Sequence, residues 1–483
     1  MKKILILSIV LLLSVVTTAV AGGQKEKIEK EGVLGLINWD APKTALERLT
    51  GDEYILPEGW DKTTEGVEKI FYFNSGAMRH DPATAKNIEV FENLTGIKVD
   101  YAEVGSDILF QKTINVFVSR DGSVHGMSLT DGPNELKEVI GAGWAEPMPF
   151  WTPEVRKAYP AGLVSAMTGA DGKVYATVDT MRSYLLFYRP SWLKAADIEK
   201  VPTTWQEVRE AAKKAGDWAR KNLGPDYYGI VFPAKAYNLL HMIQAGVYSQ
   251  GGRIIQADGI PVYNTEEGKK SWDYWVNLVK DGIAPEAVLG WTWNDYQEVF
   301  ARGKSAFMLG FTTYVNRSAD QELSPALHKD VFGNPDKGAK GLGDWAVVAP
   351  PKWNANMPDD YRAAFIDFDA FVVNKFADEK HKAAALLFAE FRMSKQAMAN
   401  ELIIEGNESF YPGAYEDPDV ASKILYPEPR AQSARTTVME AFPPGTVRAM
   451  DILIEYFARA VTGELSSQEA LNKAQEEIDM IFK

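Results

Sequence analysis

The sequence predicts an alternating α/β fold, and three neighbouring segments carry that expectation. Ile70-Phe71-Tyr72-Phe73 is a continuous apolar run, as in a strand buried on both faces. Ala85, Ile88, Phe91 and Leu94 follow at helical spacing, and Gly96 stands where a helix ends. Ile97, Val99 and Tyr101 then alternate with Lys98 and Asp100, the pattern of a half-buried strand. Strand, helix and strand with short joins make a parallel βαβ unit.

The same grammar recurs along the chain. Thr204-x-x-Glu207 is a capping box, after which Trp205, Val208, Ala212 and Ala215 keep helical spacing. Trp272, Trp275, Val276 and Val279 fall at i, i+3, i+4 and i+7, and that helix stops at Asp281-Gly282. This spacing assigns Trp205, Trp272 and Trp275 to the core. Met450, Leu453, Phe457 and Val461 mark another helix. Ser466-x-x-Glu469 caps the last, with Leu471, Ala474, Ile478 and Ile481 on its apolar face. Residues 31–68 show no strong periodicity and are expected to wrap a domain or cover a cleft.

With 483 residues, 46% hydrophobic and 24% charged, the chain has room for two or three domains and a sizeable core. A net charge of -14 repels phosphate and argues against nucleic acid as a partner. The absence of cysteine excludes thiolate zinc sites, iron–sulfur clusters, Cys nucleophiles and a lipidated N-terminal Cys. The 13 Trp, 20 Tyr and 22 Phe either fill cores or line a site for sugar rings.

Residues 1–21 read as a secretory signal: Lys2 and Lys3, an apolar run from Ile4 to Val16, and an Ala19-Val20-Ala21 cleavage site. The run falls short of the roughly 20 residues that span a bilayer. Cleavage after Ala21 leaves 50 basic against 66 acidic side chains and an unlipidated periplasmic or extracellular protein. Gly22 to Lys30 reads as a flexible leader.

Catalytic signatures are sparse. His80, His125, His241, His328 and His381 have no H-x-H or H-E-x-x-H spacing, so local sequence assigns no metal ligands, although the fold could assemble them. Gly303-Lys304-Ser305 resembles the end of a P-loop, but the required earlier glycine is Glu298. Gly341-x-Gly343 lacks the third glycine of a dinucleotide fingerprint, and no G-x-S-x-G elbow occurs. Asp367 and Asp369 are the nearest pair for glycosidase chemistry, yet carboxylates at i and i+2 more often face a ligand or solvent. No enzyme activity and no cofactor are expected.

Residues 93–99, 141–147, 171–176, 186–188, 202–205, 299–308 and 462–471 carry short motifs whose ordered series resembles the sugar-binding solute-binding proteins of ABC importers, the group that includes maltose-binding protein. Asn93-Leu94-Thr95-Gly96-Ile97-Lys98-Val99 closes the family's opening unit, and Gly141-Ala142-Gly143-Trp144-Ala145-Glu146-Pro147 resembles its "aGll.Pl" segment. Asp171-Gly172-Lys173-Val174-Tyr175-Ala176 with Leu186-Phe187-Tyr188, then Pro202-Thr203-Thr204-Trp205, are similar to the family's crossing and "PkTWdE". Val299 to Met308 matches "F..GkaAM", which accounts for the false P-loop, and Thr462-Gly463-Glu464-Leu465-Ser466 with Glu469-Ala470-Leu471 matches "tGk.s.eeAL". The family's Pro after the Tyr175 strand is replaced within Thr177-Val178, and the Asn of its "YN" is Arg189.

The resemblance implies an α/β, two-lobed periplasmic-binding-protein fold (type II) whose lobes are joined by several crossing strands. The implied N-terminal lobe comprises residues 67–180 with 340–405, and the C-terminal lobe 181–339 with 406–483. Residues 22–66 form the leader and N-terminal extension, and within them the segment 27–66 has no clear family counterpart. The implied function is capture of a carbohydrate, expected to be an oligosaccharide, by hinge closure and delivery to ABC permease subunits by a monomer. A polyol or glycerol phosphate also suits the family. A secreted glycoside hydrolase and a sensor subunit not coupled to transport are the alternatives.

A sugar site needs rings for stacking and forked polar groups for hydroxyls, on loops at strand ends. By position these are Asn74 and Ser75 after the first strand, Asp131 after Met127-Ser128-Leu129, and Arg182 and Tyr184 on the crossing segment. Tyr237 and Asn238 follow Phe232-Pro233, and Tyr314 follows Gly310-Phe311, near family stacking positions. Asp367, Phe368, Phe410 and Tyr411 complete the set beside Trp291, Trp293, Asn294 and Asp295. Trp291-x-Trp293 is expected on an extended segment with both rings on one side, since Gly290 and Asn294 disfavour a buried helix. Tyr184 and Phe368 could equally be core, and Asp131 could cap a helix.

Overall fold

A computed structural model describes residues 33–75, 82–235, 238–338, 340–362, 364–409 and 414–482. The expected signal sequence, Tyr237, Phe410 and Tyr411 lie outside the described residues.

In chain order, α1 (Ala45–Thr50) precedes β1 (Lys69–Ser75), α2 (Pro82–Thr95), β2 (Lys98–Val104), α3 (Ser106–Ser119), β3 (Gly126–Leu129) and α4 (Gly132–Gly141). β4 (Thr177–Arg182) and β5 (Tyr184–Tyr188) are separated by Ser183 alone. α5 (Trp205–Asn222), β6 (Tyr228–Val231), α6 (Asn238–Tyr248), α7 (Glu266–Lys280), α8 (Trp293–Ala301), β7 (Ser305–Phe311) and α9 (Tyr314–Ala319) follow. The chain ends with β8 (Ala346–Val348), β9 (Asp367–Val373), α10 (Glu379–Arg392), α11 (Pro427–Thr436), α12 (Thr446–Val461) and α13 (Ser467–Phe482).

Two sheets result, ordered β2-β1-β3-β9-β4 and β6-β7-β5-β8. β1 pairs in parallel with β2 and β3, completing the expected βαβ unit, whereas β9 runs antiparallel between β3 and β4. In the second sheet β6 and β7 are parallel, and β5 is antiparallel to β7 and β8. Each sheet carries its own apolar cluster, the signature of two lobes with separate cores.

The second core is rich in tryptophan. Trp205, Trp272 and Trp275 are all buried there, as their helical spacing predicts. Trp205 and Trp275 meet edge-on with centroids 5.3 Å apart. Truncating one of these rings to Ala would cost about 3–5 kcal/mol. The Thr204–Glu207 box forms, with Glu207 Oε2 accepting from the backbone N–H of Thr204 at 3.0 Å. Gly303-Lys304-Ser305 turns into β7, which pairs inside the sheet.

The cores change over at places that differ from the implied boundaries. β8 pairs with β5 at Leu186↔Val348, so residues 346–348 belong to the second sheet. The return to the first lobe comes at Phe365–Ile366: Phe365 lies in the second core and Ile366 in the first. Ala414, Val420 and Ile424 still pack in the first core, and Tyr426 enters the second. The cause is pairing: β8 finds its hydrogen-bond partner in β5 before the chain crosses.

The described part of the N-terminal extension packs on the first lobe. Ile37, Ala45, Leu49 and Tyr54 are buried in its core. Thr44-x-x-Glu47 is a capping box that starts α1, a signal present in the sequence. Arg48 from α1 and Glu390 of α10 form a fully buried ion pair, and Tyr54 OH donates to Glu390 Oε2 at 2.7 Å.

Candidate functional site

The pairing of β4 with β9 places Arg182 opposite Asp367 and Thr180 opposite Asp369. Arg182 is the last residue of β4, so its side chain sits where the first lobe meets the second. Its Nε and Nη2 donate to Asp367 Oδ2 at 3.1 and 2.9 Å, and Nη2 also donates to Asp369. Its guanidinium lies over the Phe311 ring of β7, 5.4 Å from the centroid. One cation thus ties both strands to the neighbouring lobe. Desolvation is severe: burial raises the Asp367 carboxyl to about 7, with Arg182 opposing and Asp369 reinforcing the shift.

Asp131 approaches from β3. It precedes the first turn of α4 and its carboxylate accepts from Asn134 Nδ2 at 2.7 and 2.8 Å. The next residue, Gly132, makes the approach possible: a Cβ there would stand 2.6 Å from the Phe368 carbonyl oxygen. Glu135, one turn along α4, is buried too. Burial lifts its carboxyl to about 8, and burial with the charges of Glu135 and Asp367 holds Asp131 well above the carboxylate range.

The second lobe supplies His241 from α6. Tyr184 OH and His241 Nδ1 are 2.9 Å apart, and the imidazole stacks on Phe365 with centroids 4.4 Å apart. Burial, then the Arg182 charge, pushes His241 well below the usual imidazole range, so it is neutral at pH 7. Below the cluster, Ser183 Oγ donates to Glu408 Oε1 at 3.1 Å, and Glu408 lies 3.8 Å from Arg430 of α11. Both Glu408 and Arg430 are fully buried, so each crossing between the lobes is tied by charge.

Of the expected site residues, Asp131, Arg182, Tyr184 and Asp367 converge at this junction, while Asn238 is buried at the start of α6, one turn before His241, and donates to the Lys235 carbonyl. Asn74, buried, and Ser75, half-buried, end β1, an inner strand of the first sheet, where they pair with Glu103 and Val104 of β2. Phe368 is wholly buried in the first core, and Tyr184 packs against Phe311 with centroids 4.6 Å apart. Both therefore have core contacts, and Tyr184 also turns its hydroxyl to His241.

The Trp291–Trp293 segment is corrected. Trp293 is the first residue of helix α8, because Thr292-x-x-Asp295 caps it: Thr292 N–H donates to Asp295 Oδ2 at 2.8 Å. Asp295 serves that cap and is exposed, while Asn294 is half-buried on the first turn. Both tryptophans are half-buried against the second core, and Tyr314, buried, donates its hydroxyl to the Trp293 carbonyl. The capping box was readable in the sequence. Sequence reasoning also missed Glu135 and His241, whose positions on helices signal nothing until α4 and α6 face each other.

A separate groove of about 470 Å³ is lined by Met181, Ile366, Tyr159, Leu163, Arg435 and Met439. Its rim reaches Ser409 and Ala414, on either side of Phe410 and Tyr411.

Two separately cored α/β lobes, joined by β4–β5 and two further crossings with charged groups buried between them, define a two-lobed solute-binding fold. Residues 86–428 match the bacterial extracellular solute-binding protein family, and the chain belongs to it. A putative binding protein of Brucella abortus is 23% identical over 295 residues, covering 58% of this chain and 69% of that one. Among solved structures, a maltose-bound MalE3 of T. maritima superposes with a TM-score of 0.71 at 19% identity, covering 86% of this chain and 99% of that one. A ribitol-bound ABC transporter solute-binding protein of Agrobacterium radiobacter gives 0.69 at 21% identity, covering 86% and 99%. Identities this low establish the shared fold.

Proposed function

We propose that this protein captures a carbohydrate or polyol between its lobes and delivers it to an ABC permease. The observation that carries the reading is the interlobe convergence of Asp131, Arg182 and Asp367 with half-buried Trp291 and Trp293 nearby. Forked polar groups match vicinal hydroxyls, and indole faces match the C–H faces of a pyranose. The relatives bound to maltose and ribitol support that ligand class. The protein works by capture: ligand enters the open cleft, the lobes close about the crossing strands, and the closed form docks. Asp367 and Asp369 both serve Arg182, which leaves them poorly placed as an acid/base pair. Export by the N-terminal signal, with cleavage after Ala21, and action as a monomer complete the reading.

The test is a thermal-shift and tryptophan-fluorescence screen against mono-, oligosaccharides and polyols. A ligand at 100 times its Kd adds about 2.7 kcal/mol of stability. Silence across the whole panel sinks the reading.

A further inference from the structure

Asp131, His241 and Asp367 come from three separate pieces of the fold: the β3–α4 turn of the first lobe, helix α6 of the second, and crossing strand β9. One potential ligand atom from each lies within 4.8 Å of the other two, and all three residues are at most 1% exposed. We propose that this triad is a binding site for a divalent first-row metal ion, closed only when the lobes are together.

Four further observations support it. Arg182 occupies Asp367 Oδ2, whereas Asp367 Oδ1 is buried without a hydrogen-bond partner among the described residues. Such an orphaned carboxylate oxygen is costly unless something cationic meets it. Asn238 Oδ1 and Gln244 Oε1 are likewise buried and without a partner among the described residues, one turn before and one turn after His241 on α6. The charge is also unbalanced. Asp131, Glu135, Asp367 and Asp369 act on one another electrostatically, and Arg182 bonds Asp367 and Asp369 as well as the Thr180 hydroxyl. Finally, Tyr184 OH stands 2.9 Å from His241 Nδ1, the outer partner that orients an imidazole whose other nitrogen holds a metal.

One imidazole and two carboxylates suit Zn²⁺ or Mn²⁺, and a three-ligand set leaves positions open for water or for solute hydroxyls. The ion site stands on this geometry alone; only its contact with solute hydroxyls rests on the proposed function. Because its ligands come from both lobes and the crossing strand, metal binding would favour closure.

The test uses the full chain after chelator treatment, titrated calorimetrically with Zn²⁺ and with Mn²⁺. One saturable site per chain is expected. Affinity should fall at least tenfold in Asp131→Asn, His241→Gln and Asp367→Asn, and stay unchanged in His328→Asn. If a variant fails to fold, the wild type still decides: chelation should lower its Tm and either ion should restore it. Absence of saturable binding with both ions, or binding that survives Asp131→Asn and His241→Gln, overturns the proposal. So does glucosamine, but not glucose, binding at the triad with no metal required, which would assign the triad to an ammonium group. The carbohydrate panel run with and without Zn²⁺ separates the two readings. Zn²⁺ binding without any sugar response leaves the metal site and sinks sugar capture; the reverse leaves capture and sinks the metal site.

Discussion

The two lobes bring different chemistry to their junction. The first contributes charge: Asp131, Glu135, Arg182, Asp367 and Asp369 come from strand ends or the first turn after one. The second contributes rings and neutral polar groups: Tyr184, Asn238, His241, Tyr314, Trp291 and Trp293. The charges hang from paired backbone, and their positions follow the register of β4 on β9. Most of the rings and amides hang from helices and turns, and their positions depend on how those helices pack. The first set is therefore rigid and expensive to break, while the second can be altered with the fold intact.

The largest effect should come from the charged side. Arg182→Ala leaves Asp367 and Asp369 buried without their cation, and should cost about 3–5 kcal/mol in chemical denaturation. A loss under about 1 kcal/mol would mean the carboxyls are already protonated and the junction is not held by charge. On the ring side, Trp293→Ala should weaken solute binding about tenfold to a hundredfold while the melt stays cooperative. Unchanged affinity for a ligand found in the screen would move the site away from α8.

A smaller effect lies in the first lobe, far from the junction. His125 Nδ1 accepts from the Phe71 backbone N–H at 2.8 Å, and the ring stacks on His381. Burial, then His381, depresses His125 to about 4. The unfolded chain therefore binds more protons than the native one between the ordinary imidazole value and about 4. Stability should be full above the ordinary value and fall as pH drops through that window, by about 1–2 kcal/mol given the half-exposed ring. His125→Gln, which can still accept from Phe71, should flatten the pH profile of Tm; an unaltered slope would assign the acid sensitivity elsewhere. The smallest change is Thr292→Ala, which removes the α8 cap and should cost about 0.5–1 kcal/mol while shifting Trp293 fluorescence.

Much of this was legible in the chain. Apolar runs, capping boxes and helical spacing located β1, α2, β2, α5, α7, α12 and α13 because each depends on neighbours within a few residues. Asp131 was also found from its place after a strand, and Arg182 from the crossing segment. The Trp291–Trp293 segment shows how local reading fails when one signal is overlooked: the tryptophans suggested an extended ledge, and Thr292 with Asp295 started a helix. The N-terminal extension shows a different limit. Arg48 and Glu390 stand 342 positions apart, and no periodicity in residues 33–66 records their pairing.

The sequence by itself determined the α/β alternation, the division of tryptophans into core, and the strand ends that present charge, since backbone propensity and side-chain period are local. Only the tertiary structure decided where the lobes exchange chain, and that His241 meets Asp131 and Asp367. Those residues are far apart in sequence. They are brought together by β9 pairing between β3 and β4 and by α6 packing across the junction, neither of which leaves a trace in any one segment.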